Sequence, residues 1–179
     1  ITKPTMIENL RFFFRYQVGH MYFRYFMWNF AGRQDDIQSQ GGVLHGNWIS
    51  GISPLDNYRL GNQEDRPAAM KNKANNKYYL LPLILGLLGI FYLYNKGREG
   101  KRVLWLVFLL FIMTGLAIVV YLNQYPIQPR ERDYAFAGSF YAYAIWIGLG
   151  VLALVEALKK VMPETVNGAV VTAVCLLLV

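Results

Sequence analysis

From Val103 to Leu122 the chain runs for 20 residues without a charged side chain, and only Thr114 and Gly115 weaken its apolar character. A helix of about 20 apolar residues crosses about 30 Å of hydrocarbon, and backbone in lipid must satisfy its own hydrogen bonds. A strand would need a closed barrel and alternating polarity, and the run shows no alternation. The expected class is an all-α integral membrane protein with a multi-helix transmembrane bundle. Spans are expected at about 78–95, with Pro82 in the opening turns, at 103–123 and at 139–158. A fourth begins near Gly168 and stops at Val179. The start at Ile1 and the end inside an apolar run read as a fragment of a longer polypeptide.

Composition agrees: 55% of residues are hydrophobic and 16% charged, against about 45–50% and about 25% in soluble domains. The 18 Lys and Arg against 11 acids give a net charge of +7. These basic residues sit beside hydrophobic blocks, which points to membrane flanks and not to nucleic acid. The one cysteine, Cys175, lies in an apolar run and has no internal disulfide partner.

Two regions follow: an aromatic interfacial helix plus an extracytoplasmic polar loop over 1–77, and the bundle over 78–179. The loop at Asn95–Arg102 and the one after Leu158 carry Lys96, Arg98, Lys101, Arg102, Lys159 and Lys160. The other side carries Arg66, Lys71, Lys73, Lys77, Arg130 and Arg132, so the basic count ties. The compact loops are assigned to the cytoplasm, which puts 1–77 and 123–137 on the outer face. At about 100° per residue, the polar side chains of 8–31 form two opposed stripes. Glu8, Arg11, Arg15 and Asn29 make one, and Asn9, Gln17, His20 and Arg24 the other. Two stripes imply a helix packed between protein and interface, with Gly19 as the expected break. Residues 32–76 show no sustained period and read as a long loop, ordered or flexible.

The chemistry-bearing stretch is Gln128-Pro129-Arg130-Glu131-Arg132-Asp133-Tyr134. Pro126 and Pro129 bias their predecessors toward extended backbone, so alternate residues share a face. Arg130 and Arg132 then form a paired cation surface for a phosphate, with Glu131 and Asp133 opposite. A self-neutralising set of salt bridges tethering the loop explains the same residues, and both readings stay open. In Gly32-Arg33-Gln34-Asp35-Asp36 the adjacent carboxylates suit a divalent cation or a base, or simply a loop start. His20 and His45 are 25 apart and Cys175 is far off, so no metal site is expected.

Three stretches carry a resemblance: Tyr22-Phe23-Arg24-Tyr25-Phe26-Met27-Trp28-Asn29-Phe30-Ala31-Gly32-Arg33-Gln34, then Gly46-Asn47-Trp48-Ile49-Ser50-Gly51, then Gln128 through Ala142. They resemble a multi-pass inner-membrane family of Bacteroidota whose conserved domain has long been described only as of unknown function. That family is similar to the animal transmembrane protein O-mannosyltransferases. The resemblance implies a glycosyltransferase that moves a sugar from a polyprenyl-phosphate donor to Ser or Thr of exported proteins, in the bacterial inner membrane. It also implies a general base upstream of Ile1, and so no catalytic residue within this fragment, which alone would be inactive. Arg130, Arg132, Arg24 and Arg33 are then donor-phosphate candidates, supported by Glu131, Asp133, Tyr134, Gln34, Asp35 and Asp36. Asp35 departs from the family pattern, where Asn is expected. Membrane lipid, lipid-linked sugar, the acceptor protein and further membrane proteins are the expected partners. A non-catalytic membrane scaffold or assembly subunit is the alternative. A transporter of lipid-linked saccharides is a third, and only Glu156 qualifies as an ionisable residue within a span.

Overall fold

The structure is a computed structural model that describes residues 3–67, 71–126, 130, 132–159 and 168–173. Its helical N-terminal segment begins with a capping box. Thr5 Oγ1 accepts from the Glu8 N–H at 3.3 Å, and Glu8 Oε2 accepts from the Thr5 N–H at 2.7 Å. α1 (Met6–Phe12) then opens into an 11-residue π-helix, Phe13–Phe23, before α2 (Arg24–Phe30) closes up again. The Arg24 N–H donates to the Gly19 carbonyl five residues back, the signature of that wider winding. The break expected at Gly19 is therefore absent: Gly19 lies within the π-helix, and the pitch changes at its two ends.

Where they are described, residues 32–77 carry a two-stranded ladder, a helix and side-chain ties. β1 (Gly32–Arg33) pairs antiparallel with β2 (Asn76–Lys77), Gly32 opposite Lys77 and Arg33 opposite Asn76. Gly32 has φ +149°, and a Cβ there would press on the Asn76 and Ile49 carbonyls, so only glycine suits the crossing. Between the strands lies α3 (Ser53–Leu60), a helix that the sequence reading missed. Pro54 sits in its first turn, and Asp56 accepts the Ser50 and Gly51 N–H groups, each at 2.8 Å. That carboxylate pins the preceding loop to the helix.

The Tyr78 N–H donates to the Ala31 carbonyl at 3.0 Å, and Tyr79 and Leu80 adopt left-handed backbone, with φ 53° and 60°. That turn delays the first apolar helix, α4, to Leu81–Asn95, three residues later than expected. Its 15 residues extend only about 22 Å, short of the hydrocarbon thickness of about 30 Å. α5 (Gly97–Thr114) follows after Lys96 alone, so the basic loop expected at 95–102 is mostly the first turns of a helix. Gly97, at φ +73°, makes that hairpin possible.

The long apolar run is helical, but it breaks at Gly115 into α5 and α6 (Leu116–Leu122). Gly115 is buried, and a Cβ there would stand 2.5 Å from the Tyr22 hydroxyl. Asn123 then turns left-handed, ending the helix before Pro126. A 3-10 turn, Asp133–Phe136, leads into α7 (Ala137–Leu158), so Asp133 and Tyr134 are not in extended backbone as expected. The stretches Gly97–Leu122 and Asp133–Leu158, 26 residues each, are long and apolar enough to cross a membrane. Residues 168–173 are helical, and the rest of the expected fourth span lies outside the described residues.

α4 and α7 cross so closely that a Cβ on Gly89 would collide with the Trp146 carbonyl, and one on Gly150 with that of Leu85. Phe26 and Phe30 of α2 pack onto Tyr143 of α7, at ring centroid distances of 4.8 and 4.6 Å. The resulting core of Phe26, Phe30, Leu93, Tyr143 and Trp146 joins the N-terminal helix to the bundle. Gln17 also donates to the Asn123 side chain and the Gln124 carbonyl, at 3.0 and 2.8 Å. Residues 123 and 124 are thus tied to the N-terminal helix at one end of the bundle. At the other end, Lys96 bonds Glu156 at 3.0 Å. The fold is all-α with a small polar layer at one end.

Candidate functional site

The π-helix decides which side chains meet. In an α-helix, Arg15 and His20 would point about 140° apart, because five residues overshoot a turn of 3.6. With bonds closing at i→i+5, residues four and five apart align. Arg11, Arg15, His20 and Arg24 are spaced by four, five and four. All four line one open cleft of about 630 Å3, together with Phe12, Tyr16, Trp48, Arg59 and Glu8. The two polar stripes expected on opposite faces therefore meet here, while Gln17 turns the other way into the protein.

Four arginines against the one carboxylate of Glu8 make the cleft cationic. Arg24 is buried and fixed: its Nε donates to the His20 carbonyl at 3.1 Å and its Nη1 to that of Gly46 at 2.7 Å. Its guanidinium lies 4.5 Å from the Tyr25 ring and 4.9 Å from that of Trp28. Arg59 reaches in from α3, stacked 3.6 Å from the Trp48 ring. Burial lowers its pKa, and the Asp56 carboxylate opposes the shift; a guanidinium stays charged regardless. Arg11 and Arg15 are exposed, so their forks are open to solvent. Phe12 stacks on Tyr16 at 5.2 Å, and Tyr16 lies 5.4 Å from His20, which gives the cleft an aromatic wall. His20 Nε2 faces the Ser39 carbonyl at 2.8 Å and must be the donor, since a carbonyl only accepts. Glu8 is held below the usual carboxylate range by the Thr5 N–H and then the Thr5 hydroxyl, so it is ionised near neutrality.

Asp35 organises the loop that forms the cleft's rim. Fully buried, it accepts from the Gly46 N–H at 2.7 Å, Arg66 Nη2 at 3.0 Å, and His45 Nδ1 and the Ile37 N–H at 3.2 Å. Burial pushes its pKa up, but these four bonds together bring it below the ordinary value. Gln34, also buried, clasps Asn47 through its Oε1 at 3.0 Å and donates to Gln63 at 2.9 Å. Asp36, next in sequence, is exposed and accepts from Asn72. The adjacent carboxylates thus have separate partners. Among the described residues, no three His, Cys, Asp or Glu side chains gather to hold a metal ion.

Of the four expected phosphate arginines, Arg24 lines the cleft. Arg33 meets Arg24 on the shared Trp28 ring, its guanidinium also 4.9 Å away, but it lies outside the cleft lining. Arg130, Arg132, Asp133 and Tyr134 are exposed, with the Arg130 guanidinium 5.9 Å from the Tyr134 ring. Glu131 lies outside the described residues. The 123–126 turn that leads toward these residues rests on the cleft's own helix, since Pro126 shares a shallow pocket with Glu8 and Phe12. Arg11, Arg15, His20, Trp48 and Arg59 were missed as site residues. For the first three, the usable signal was the 4-5-4 spacing; Arg59 and Trp48 meet only through tertiary structure.

The class defined by these observations is an all-α protein with two helices of membrane-crossing length and an arginine-rich, aromatic-walled cleft at one end. No protein-family model, curated protein or solved structure matches the chain.

Proposed function

We propose that this chain is the middle part of a multi-pass inner-membrane glycosyltransferase, with the phosphate of a polyprenyl-phosphate sugar bound in the arginine cleft. The observation that carries the reading is the convergence of Arg11, Arg15, Arg24 and Arg59 with Tyr16 and Trp48 in one open cleft. Arginine forks match phosphate oxygens in pairs, and aromatic rings are the usual lining where protein meets the membrane interface. The cleft lies at the end of the bundle where the polar layer meets the apolar helices, which suits a ligand with a charged head and a lipid tail.

In the transfer, the acceptor Ser or Thr oxygen forms a bond to the anomeric carbon as the bond from that carbon to the phosphate oxygen breaks. The electron pair leaves on the phosphate, and the acceptor's proton passes to the carboxylate base that the resemblance puts upstream. This chain acts on the leaving-group side. Fixed Arg24 and Arg59 provide a preorganised positive field, and Arg11 and Arg15 close on the phosphate oxygens as charge develops. Arg130 and Arg132 remain a second candidate pair for the same phosphate.

The test is sugar transfer from a polyprenyl-phosphate donor by the full-length protein in membranes. Arg15→Gln should lower the rate about 10²-fold to 10³-fold with insertion and melting temperature unchanged, the usual effect of losing one donor to transition-state charge. Arg15→Lys should recover part of it. Full activity in a stable Arg11→Gln, Arg15→Gln double variant would overturn the reading.

A further inference from the structure

The polar layer encloses a second cavity, of about 410 Å3, between α3 and the segment leading into β2. Its volume falls in the range of pockets that hold small ligands, about 300–1,000 Å3. Carboxamides, Gln34, Asn57, Gln63, Asn72 and Asn75, share its lining with charged side chains of both signs, Asp56 and Glu64 against Arg66, Lys71 and Lys77. Ammonium groups only donate and carboxylates only accept, whereas a carboxamide does both, as each hydroxyl of a sugar also does.

The fold already fixes most of these amides. Gln63 Nε2 donates to the Gly61 carbonyl at 2.9 Å, and Asn75 Nδ2 donates to the Gln34 carbonyl at 2.9 Å. Asn57 Oδ1 accepts the Gln63 N–H at 3.2 Å. Asn57 Nδ2 and Asn75 Oδ1, on exposed side chains, have no protein partner among the described residues, so one donor and one acceptor are free to exchange water for a ligand. Charge nearly balances. Of the lining ions, Arg66 bonds Asp35, and Asp56 holds the Ser50 and Gly51 amides, leaving exposed Lys71 and Lys77 against Glu64. The contrast with the arginine cleft is chemical: one lining attracts an anion, and the other offers mixed donors and acceptors to an uncharged ligand.

We propose that this cavity binds a neutral, hexose-sized saccharide. The inference stands on the cavity lining and does not need the lipid-phosphate reading. The test is saturation-transfer NMR on the full chain in lipid nanodiscs with glucose, mannose and N-acetylglucosamine, one at a time, and glucose 6-phosphate as the charged control. At least one neutral sugar should receive saturation. Asn57→Ala, which removes one amide, should weaken it about five-fold or more, the equivalent of one hydrogen bond. Ser53→Phe should do the same by filling the cavity from an exposed wall position, and it covers the case in which Asn57→Ala does not fold. Polyprenyl-phosphate binding should stay unchanged in a folded variant, so this proposal and the cleft reading can fail separately. No transfer to any neutral sugar, transfer that survives both substitutions, or displacement by glucose 6-phosphate alone would overturn it.

Discussion

Replacing Asp35 by Asn keeps the shape of a fully buried side chain and removes its charge. The carboxylate takes four donors, two of them from Arg66 and His45 on the same oxygen, Oδ2. An amide turned to keep the Gly46 and Ile37 bonds would present its NH2 to Arg66, donor against donor, while the His45 ring can meet it as an acceptor in its other tautomer. Arg66 is 10% exposed and would retain only its bond to the Leu44 carbonyl at 2.9 Å, whereas His45, at 29%, can rehydrate. Breaking a buried ion pair from one side costs about 3–5 kcal/mol, and the surviving Leu44 bond favours the lower end, about 3 kcal/mol. The sign of the pH effect follows from the lowered pKa. Asp35 binds a proton less readily folded than unfolded, so its contribution is complete above the ordinary carboxylate pKa and is lost as pH falls through the lowered folded value. Equilibrium unfolding in detergent, followed by tryptophan fluorescence, should show the Asp35→Asn loss near neutrality and a smaller difference in acid. A loss below about 1 kcal/mol near neutrality would refute the buried-pair reasoning.

Gly115→Ala should destabilise the protein by about 1–3 kcal/mol in thermal melts, because its Cβ meets the Tyr22 hydroxyl, and Tyr22→Phe should relieve part of that cost. In a Cys175→Ser background, a cysteine at Lys71 should label and one at Arg98 should stay unlabelled when intact spheroplasts meet a membrane-impermeant thiol reagent; labelling at 98 would overturn the orientation. If Arg130 and Arg132 hold the donor phosphate, Gln at either should cut transfer while leaving the melting temperature unchanged. If they only tether the loop, activity and stability should fall together.

The apolar helices were legible because nothing but a helix suits a 20-residue run such as Val103–Leu122. Their ends were less so. The start of α4 at Leu81 depends on left-handed Tyr79 and Leu80, and the kink at Gly115 on Tyr22, over 90 residues earlier in the chain. The cleft was hidden by an assumption about pitch: at 3.6 residues per turn Arg15 and His20 are opposed, and only π winding unites them. Arg24 was found from the motif-like stretch that contains it. Asp35 and Gln34 were singled out as supporting polar residues, but their role as ties among Gly46, Asn47, Gln63 and Arg66 depends on contacts up to 31 residues apart. α3 escaped because its eight residues carry little periodicity and no side chain caps its start, while Asp56 ties it to the Ser50 and Gly51 amides of the loop before it.

The central claim is that the cleft recognises the phosphate of a lipid-linked sugar, and binding tests it without depending on turnover. Native mass spectrometry of the full chain released from nanodiscs should show a polyprenyl phosphate retained, and the matching polyprenol, which lacks only the phosphate, lost. Arg11→Gln, Arg15→Gln should abolish the difference while leaving the melting temperature unchanged, because both side chains are exposed. Equal retention of phosphate and alcohol by the native protein, or undiminished phosphate preference in the double variant, would contradict the account.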